Sequence, residues 1–373
     1  MDIDEYADRF SEEPGYLDFA RVGPVGRAVK DEQHALTALL GRARFGTIDP
    51  LAEQDARVRE AVATMTGFDA DQVVFQPNTS TGLMHTMFGI TGGVALSAAE
   101  FPASTFAAVR SAQSLGVLSP TWLETDEGRV TPGNLRDQLT PSIAAVLVSL
   151  VDFRTGYLAD LEGIRQVIGD RLLIVDAIQG FGVVDAPYTE ADIVVSGGQK
   201  WLRAGWGTGF MALSDRAAER LTPVFSGFTA SEFDDLPLDE VYPPAHGARA
   251  FSVSHPDPIA QARLAVAIEE VLSVGVPVVR ERILDTTARV IDLADEFGLA
   301  VVSSRSESER AGIVVLEPAV DQFTVLAASL FNHGVTATTR GGRVRVSAHA
   351  STDEETFDML RAALTSYASA INV

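Results

Sequence analysis

The stretch ADIVVSGGQKWLRAGWGTGFMAL, residues 191–213, decides how the rest of the chain is read. Two short apolar runs, 193–195 and 210–213, flank a glycine-rich turn that carries Lys200 beside the indole of Trp201. Lys30 and Lys200 are the only lysines among 29 Lys and Arg residues. A chain that takes its positive charge from arginine, yet keeps a lysine between buried-type strands, points to a need for the amine itself. Arginine holds its proton in a protein, whereas a desolvated lysine can release it and attack a carbonyl carbon.

Working outward, short apolar strands alternate with helices. DQVVFQPN (71–78) reads as a strand that breaks into the helix TSTGLMHTMFG (79–89). GGVALSA (92–98) is a strand, and Phe101 follows at its C-terminal end. A helix over 104–115, a strand at SPTWLET, the apolar run 144–151, a helix over 161–168 and the strand RLLIVDAIQG, which runs out at Asp176, continue the alternation. Such alternation implies βαβ units and a mainly parallel sheet, and ligands of these sheets bind outside the carboxyl ends of the strands. Asn78–Thr81, Phe101, Asp152, Asp176 and Lys200 all fall at such ends. Asn78, Thr79, Ser80 and Thr81 also form a helix N-terminus with free N–H groups, which suits an anion. From about Pro258 the pattern changes to two long helices, 259–273 and 277–297, then strands near 299–303, 312–316 and 343–347. A helix over 321–333 precedes the last strand, and Thr352 with Glu355 signals a capping box for the final helix.

Composition narrows the classes. The 373 residues suggest two domains or so, with 46% hydrophobic and 21% charged residues. No apolar run approaches the roughly 18 residues of a membrane span. The formal net charge of −22 argues against nucleic-acid and anionic-membrane partners. The chain has no cysteine, which removes disulfides, thiolate metal sites and cysteine nucleophiles. The acidic N-terminus MDIDEYADRF does not read as a signal peptide, so a cytoplasmic location is expected. The histidines show no metal-binding spacing, and no metal is expected. No GxGxxG follows the first strand, and no GxSxG or GxxxxGK[ST] occurs. What remains is an anion cradle, an aromatic, a carboxylate and a lone lysine on one sheet edge, the parts a pyridoxal phosphate site needs.

The residues resemble the fold-type I pyridoxal-phosphate enzymes, specifically the class V aminotransferase branch with its cysteine desulfurases, isopenicillin N epimerase-like proteins and kynureninases. The likeness runs from YLDFARVGP (16–24) through GGQKWLRAGWGTGF (197–210) to RVRVSAHASTDEE (343–355). It implies an α/β fold: a large domain (46–257) with a mainly parallel seven-stranded sheet, a smaller α+β domain (258–373), and an N-terminal arm and helix (1–45) packed with the latter. Lys200 stands at the Schiff-base lysine and proton shuttle, and Asp176 at the partner of the pyridine nitrogen. Gln179 stands where the family bonds the phenolic oxygen, and Phe101 where it stacks a His or aromatic on the ring. Ser80 and Thr81 stand at the phosphate turn, with Gln199 at a position that reaches the phosphate. His255, in FSVSHPD, falls where relatives carry a Thr that reaches the neighbouring subunit's phosphate, which implies a homodimer with shared sites. Arg345 matches the arginine that binds the substrate α-carboxylate, a bidentate task.

The chain departs from the pattern at Gly197, where a phosphate-binding Ser is frequent, and at Phe153, where desulfurases carry an Asn; Asp152 stands next to it. A desulfurase also needs a persulfide-carrying Cys, so that activity is excluded on chemistry. The expectation is a pyridoxal-phosphate enzyme acting on a free amino acid, with transamination, side-chain elimination, epimerisation or C–C cleavage open. The substrate turns on loop residues such as Phe228–Pro244. Arg21 and Arg154 are candidates for a second substrate carboxylate. A non-catalytic relative of the fold is the competing class.

Overall fold

The computed structural model describes residues 1–371 apart from positions 43, 234, 236 and 237. Seven strands form the large sheet: β1 (Val73–Phe75), β2 (Gly92–Ser97), β3 (Leu118–Leu123), β4 (Ile143–Ser149), β5 (Leu172–Asp176), β6 (Ile193–Gly197) and β7 (Gly209–Leu213). Their order is β1-β7-β6-β5-β4-β2-β3, and only the pairs that β7 makes are antiparallel. Every strand except β7 therefore ends on the same edge.

Strand side chains divide by alternation, as a sheet buried on both faces requires. Val146, Val148, Leu173, Val175 and Val194 join one core. Ala145, Leu147, Leu172, Ile174, Ile193 and Val195 join the other, on the face covered by the helices Thr79–Gly89 and Pro102–Leu115. The helix Thr79–Gly89 approaches so closely that a Cβ at Gly82 would meet Val195 Cγ1 at 2.5 Å.

The smaller sheet, in the order β10-β11-β9-β8, is antiparallel throughout: β8 (Ala300–Val301), β9 (Ile313–Glu317), β10 (Thr338–Arg340) and β11 (Arg343–Ser347). β10 is absent from the sequence reading, because TTR before a Gly-Gly turn has no apolar alternation. The expected capping box is corrected as well. Asp353 Oδ1 takes the Thr356 N–H at the start of the last helix, while Thr352 Oγ1 accepts from His349 N.

The N-terminal arm lies along the smaller sheet, with Leu17 N bonded to Thr336 O and Ser347 N to Leu17 O. It then crosses to the β6–β7 turn, where Gly23 N donates to Gln199 O. The helix Pro258–Val274 buries Leu264, Ala265 and Ile268 with Phe181, Trp201 and Leu202 of the large-sheet core. The core of the smaller sheet takes side chains only from Val290 onward, plus Leu17. The expected division at 257/258 thus falls ahead of a helix that packs with the large sheet, since chain order alone does not show which core a helix joins. Among the described residues no helix is long and apolar enough to cross a membrane, and no group of His, Asp or Glu could hold a metal.

Candidate active site

The carboxyl edge of the large sheet gathers Lys200, Asp176, Phe101 and the start of helix Thr79–Gly89. Lys200 follows β6 in a tight turn in which Arg203 N bonds Lys200 O at 3.1 Å and Ala204 N bonds Gly198 O at 2.8 Å. The residue is only 8% exposed, and its Nζ lies 5.4 Å from the centre of the Phe101 ring. Burial pushes the Lys200 amine down to about 8; Asp176 and Asp18 oppose that, and Arg345 adds to it.

Asp176 closes β5 and is fully buried. Oδ1 accepts the Ile178 N–H at 3.1 Å, and Oδ2 has no partner. Burial raises its pKa to about 6, against the pull of that N–H and of Lys200. A buried carboxylate oxygen without a donor costs a few kcal/mol and calls for one. A protonated pyridine nitrogen answers that need, so the residues fit the cofactor that the resemblance implies. Behind Phe101, Glu100 accepts from Ser149 N at 3.2 Å and from Ser149 Oγ; burial first, then Asp176 and Asp152, push it up to about 8.

The helix N-terminus supplies a second fit. Asn78 Oδ1 takes both Thr81 N at 2.9 Å and Thr81 Oγ1 at 3.2 Å, leaving Ser80 exposed. Thr79 Oγ1 is buried with no partner and lies 3.1 Å from where a Cβ of Gly197 would stand. The Gln199 carboxamide folds against the same spot. The hydroxyl that sequence reading finds missing at Gly197 is thus matched by Thr79, a residue to which the resemblance assigns no role. A Cβ at 197 would crowd Gln199 Oε1, so the carboxamide would have to shift to admit a side chain there.

The Gln179 amide is largely occupied by protein. Nε2 donates to Ala20 O at 2.9 Å, and Oε1 accepts from Trp201 Nε1 at 3.0 Å. One N–H remains for the phenolic oxygen. Phe101 is 38% exposed and meets Phe153 edge-on at 5.2 Å, giving the site an aromatic wall.

Arg345 comes from β11 and is held by Phe153 O at 3.0 Å and Thr338 Oγ1 at 3.2 Å, with Asp18 Oδ1 at 3.5 Å. Phe153, whose carbonyl it binds, meets the same Phe101 ring that Lys200 faces, so the smaller sheet delivers Arg345 to the same cleft. Asp18, missed in the sequence reading, is buried and binds both Thr338 and Arg345. Its only sequence signal was its place in YLDFARVGP.

Other candidates lie apart or are engaged. His255 is exposed, 5.3 Å from Phe228, on a separate cavity of about 1030 Å³ that also meets His246 and Arg59. In this single chain it does not join Lys200. Asp152 Oδ1 caps its own turn through Arg154 N, Thr155 N and Thr155 Oγ1. Arg154 bonds Glu127 O, and Arg21 is exposed beside Asp18 at 4.0 Å. The loop 228–244 includes positions 234, 236 and 237, which lie outside the described residues.

A profile of the aminotransferase class-V family matches residues 27–373. A kynureninase of Deinococcus radiodurans is 28% identical over 276 residues, covering 69% of this chain and 64% of that protein, so the likeness spans under two thirds of the relative. Among solved structures, the apo cysteine desulfurase of Thermococcus onnurineus superposes with a TM-score of 0.82 at 19% identity, covering 93% of each chain. A C-DES variant with glycine covalently linked to its PLP cofactor gives 0.84 at 17%, over 94% and 96%. These two likenesses establish the fold. With the profile covering nearly the whole length, the chain belongs to the aminotransferase class-V family of pyridoxal-phosphate-dependent enzymes.

Proposed function

We propose that this chain is a cytoplasmic pyridoxal-phosphate-dependent enzyme that acts on the α-amino group of a free amino acid. The observation that carries the reading is the unpartnered, fully buried Asp176 Oδ2 on the same sheet edge as Lys200 and Phe101. Lys200 is the amine that holds the cofactor's aldehyde carbon. Asp176 pairs with the ring nitrogen, Phe101 covers the ring, and the remaining Gln179 N–H reaches the phenolic oxygen. Ser80, Thr81, Thr79 and Gln199 hold the phosphate at the positive end of the helix dipole. When bound, pyridoxal phosphate supplies an electron sink for charge that develops at the substrate's Cα.

The chain's own residues do the rest. Arg345 takes the α-carboxylate, with Asp18, Thr338 and Phe153 O fixing its guanidinium. The Lys200 amine, already inclined to lose its proton near neutral pH, moves a proton at Cα. Phe101 and Phe153 exclude water from one side. Transamination is the first reading. Cleavage of the substrate side chain is the second, favoured by the likeness to a kynureninase. Persulfide transfer is ruled out by the absence of cysteine.

The enzyme is proposed to be a homodimer in which His255 reaches the partner's phosphate. Support comes from apolar side chains left at the surface of the same loops and helix: Met84, Trp206, Phe228 and Val253. Sedimentation would give twice the chain mass. For the chemistry, borohydride reduction of the cofactor-loaded protein, then peptide mass mapping, is expected to place the cofactor's mass on Lys200. Its appearance at Lys30 instead would sink the reading. Amino acids are then screened for keto acid, ammonia, sulfide and anthranilate. Keto acid without ammonia, dependent on an acceptor, marks transamination.

A further inference from the structure

Three residues beyond Lys200 the chain does something costly. Arg203 has φ +59°, in the left-handed region, where among the described residues only one other non-glycine, Glu127, is found. Its side chain is 0% exposed. The guanidinium spans the two carboxylate oxygens of Glu12, one at 3.1 Å. It also donates to Pro24 O at 2.6 Å and Ser351 Oγ at 2.8 Å, with His349 Nδ1 at 3.4 Å. Its faces lie against Phe10, 3.8 Å from the ring centre, and Phe19, at 5.2 Å. Ser351 Oγ also donates to Glu12.

Neither expense is explained by stability. A buried ion pair seldom outperforms apolar packing of the same volume, because desolvation offsets the attraction. A strained φ persists only where its surroundings impose it. What the arrangement does achieve is a junction of three parts of the molecule: the arm (Phe10, Glu12, Phe19, Pro24), the Lys200 turn, and the segment after β11 (His349, Ser351). Arg203 N closes the turn on Lys200 O, and Gly23 is pressed so tightly on that carbonyl that a Cβ would collide with it. The backbone on both sides of Lys200 is therefore gripped by the arm.

We propose that Arg203, clamped by Glu12, is a positioning residue for Lys200, and that the N-terminal arm is a working part of the active site. The clamp fixes the turn from which Nζ reaches the cleft between Asp176 and Phe101, and it ties that turn to the strand that carries Arg345. The inference rests on Lys200 being the reactive amine. The charges that face Lys200 are Asp176, Arg345 and Asp18. Those that face Arg203 are Glu12, Tyr6 and Tyr16, with Glu270 from the helix Pro258–Val274 and with His349 in contact. Loosening the turn lets water reach Nζ, and its proton affinity climbs toward that of an ordinary lysine.

The test uses the full chain freed of cofactor. Acetic anhydride labelling of Lys200, read by peptide mass mapping against pH, gives the amine's midpoint, and the visible absorbance follows the capture of added pyridoxal phosphate. The parent protein is expected to titrate near 8. Arg203→Met is expected to raise the midpoint by about one pH unit and to slow capture at neutral pH about tenfold, as the neutral fraction falls. Arg203→Lys, which keeps charge but loses the fork, is expected to fall between them. An unchanged midpoint and capture rate in a folded Arg203→Met protein, with only a lowered melting temperature, makes the clamp merely structural and overturns the inference. If that variant does not fold, Glu12→Gln must show the midpoint shift, and no shift there overturns it equally. Failure of the parent protein to carry reduced cofactor on Lys200 sinks the functional reading instead, a separate result.

Discussion

Lys200 and Asp176 are buried together, and each pulls the other's proton equilibrium only part of the way back. Asp176 sits near 6 instead of 3.8, so the folded chain holds more protons than the unfolded one between those values, and stability falls as pH rises through that window. Lys200 sits near 8 instead of 10.5, so the unfolded chain holds more protons between those values, and stability rises with pH there. The pair's contribution is therefore lowest between about 6 and 8, the range in which the proposed function would use it. Lys200→Met is expected to abolish the reaction and yet stabilise the cofactor-free chain at pH 7, by up to about 3 kcal/mol. Its stability should no longer rise between pH 8 and 10.5; urea unfolding at a series of pH values measures both. Both residues were legible because each ends an apolar run, and a parallel sheet brings such ends together. Arg203 and Asp18 were not, since their meaning lies in partners far along the chain, Glu12 for one and Arg345 for the other.

In the proposed phosphate site, the turn before the helix Thr79–Gly89 offers one hydroxyl where another is lacking. Ser at position 197 would have offered a hydroxyl from the strand side. Here glycine leaves room, and Thr79 Oγ1 stands opposite from the helix side, buried and unpartnered. Thr79→Val keeps the shape and deletes the donor. It is expected to weaken cofactor retention about tenfold, the worth of a hydrogen bond to a charged group, in equilibrium dialysis. Gly197→Ser would displace the Gln199 carboxamide, and is expected to bring no gain in retention. The helices and the parallel strands were readable from their apolar periods. The short edge strand β10 and the cap at Asp353 were not: both depend on polar residues whose neighbours only the fold decides.

At the scale of the molecule, the site is assembled from the sheet edge, the arm and the smaller sheet. Arg345 reaches the cleft only because β11 carries it there. Arg345→Ala is expected to leave cofactor content intact and to raise the substrate KM about a hundredfold, the loss of a bidentate charged pair. The joint between the two sheets is narrow. A Cβ at Gly312, just before β9, would run into the Trp201 ring. Gly312→Val is expected to lower both the melting temperature and kcat, since displacing the indole also disturbs Gln179, and calorimetry with steady-state rates would show the two falling together. Sequence reading, through the resemblance, placed the arm and helix over 1–45 with the smaller domain. It could not foresee that the helix Pro258–Val274 sides with the large one, because an amphipathic face does not name its partner.

The chain has three tryptophans, and their settings differ: Trp201 is sealed beside Lys200, whereas Trp122 and Trp206 are 44% and 73% exposed. Trp201 should therefore emit at shorter wavelength than the other two. A chromophore docked next door would accept its excitation and dim that blue component first. Fluorescence alone, with neither substrate nor label added, can thus count filled sites and time their filling.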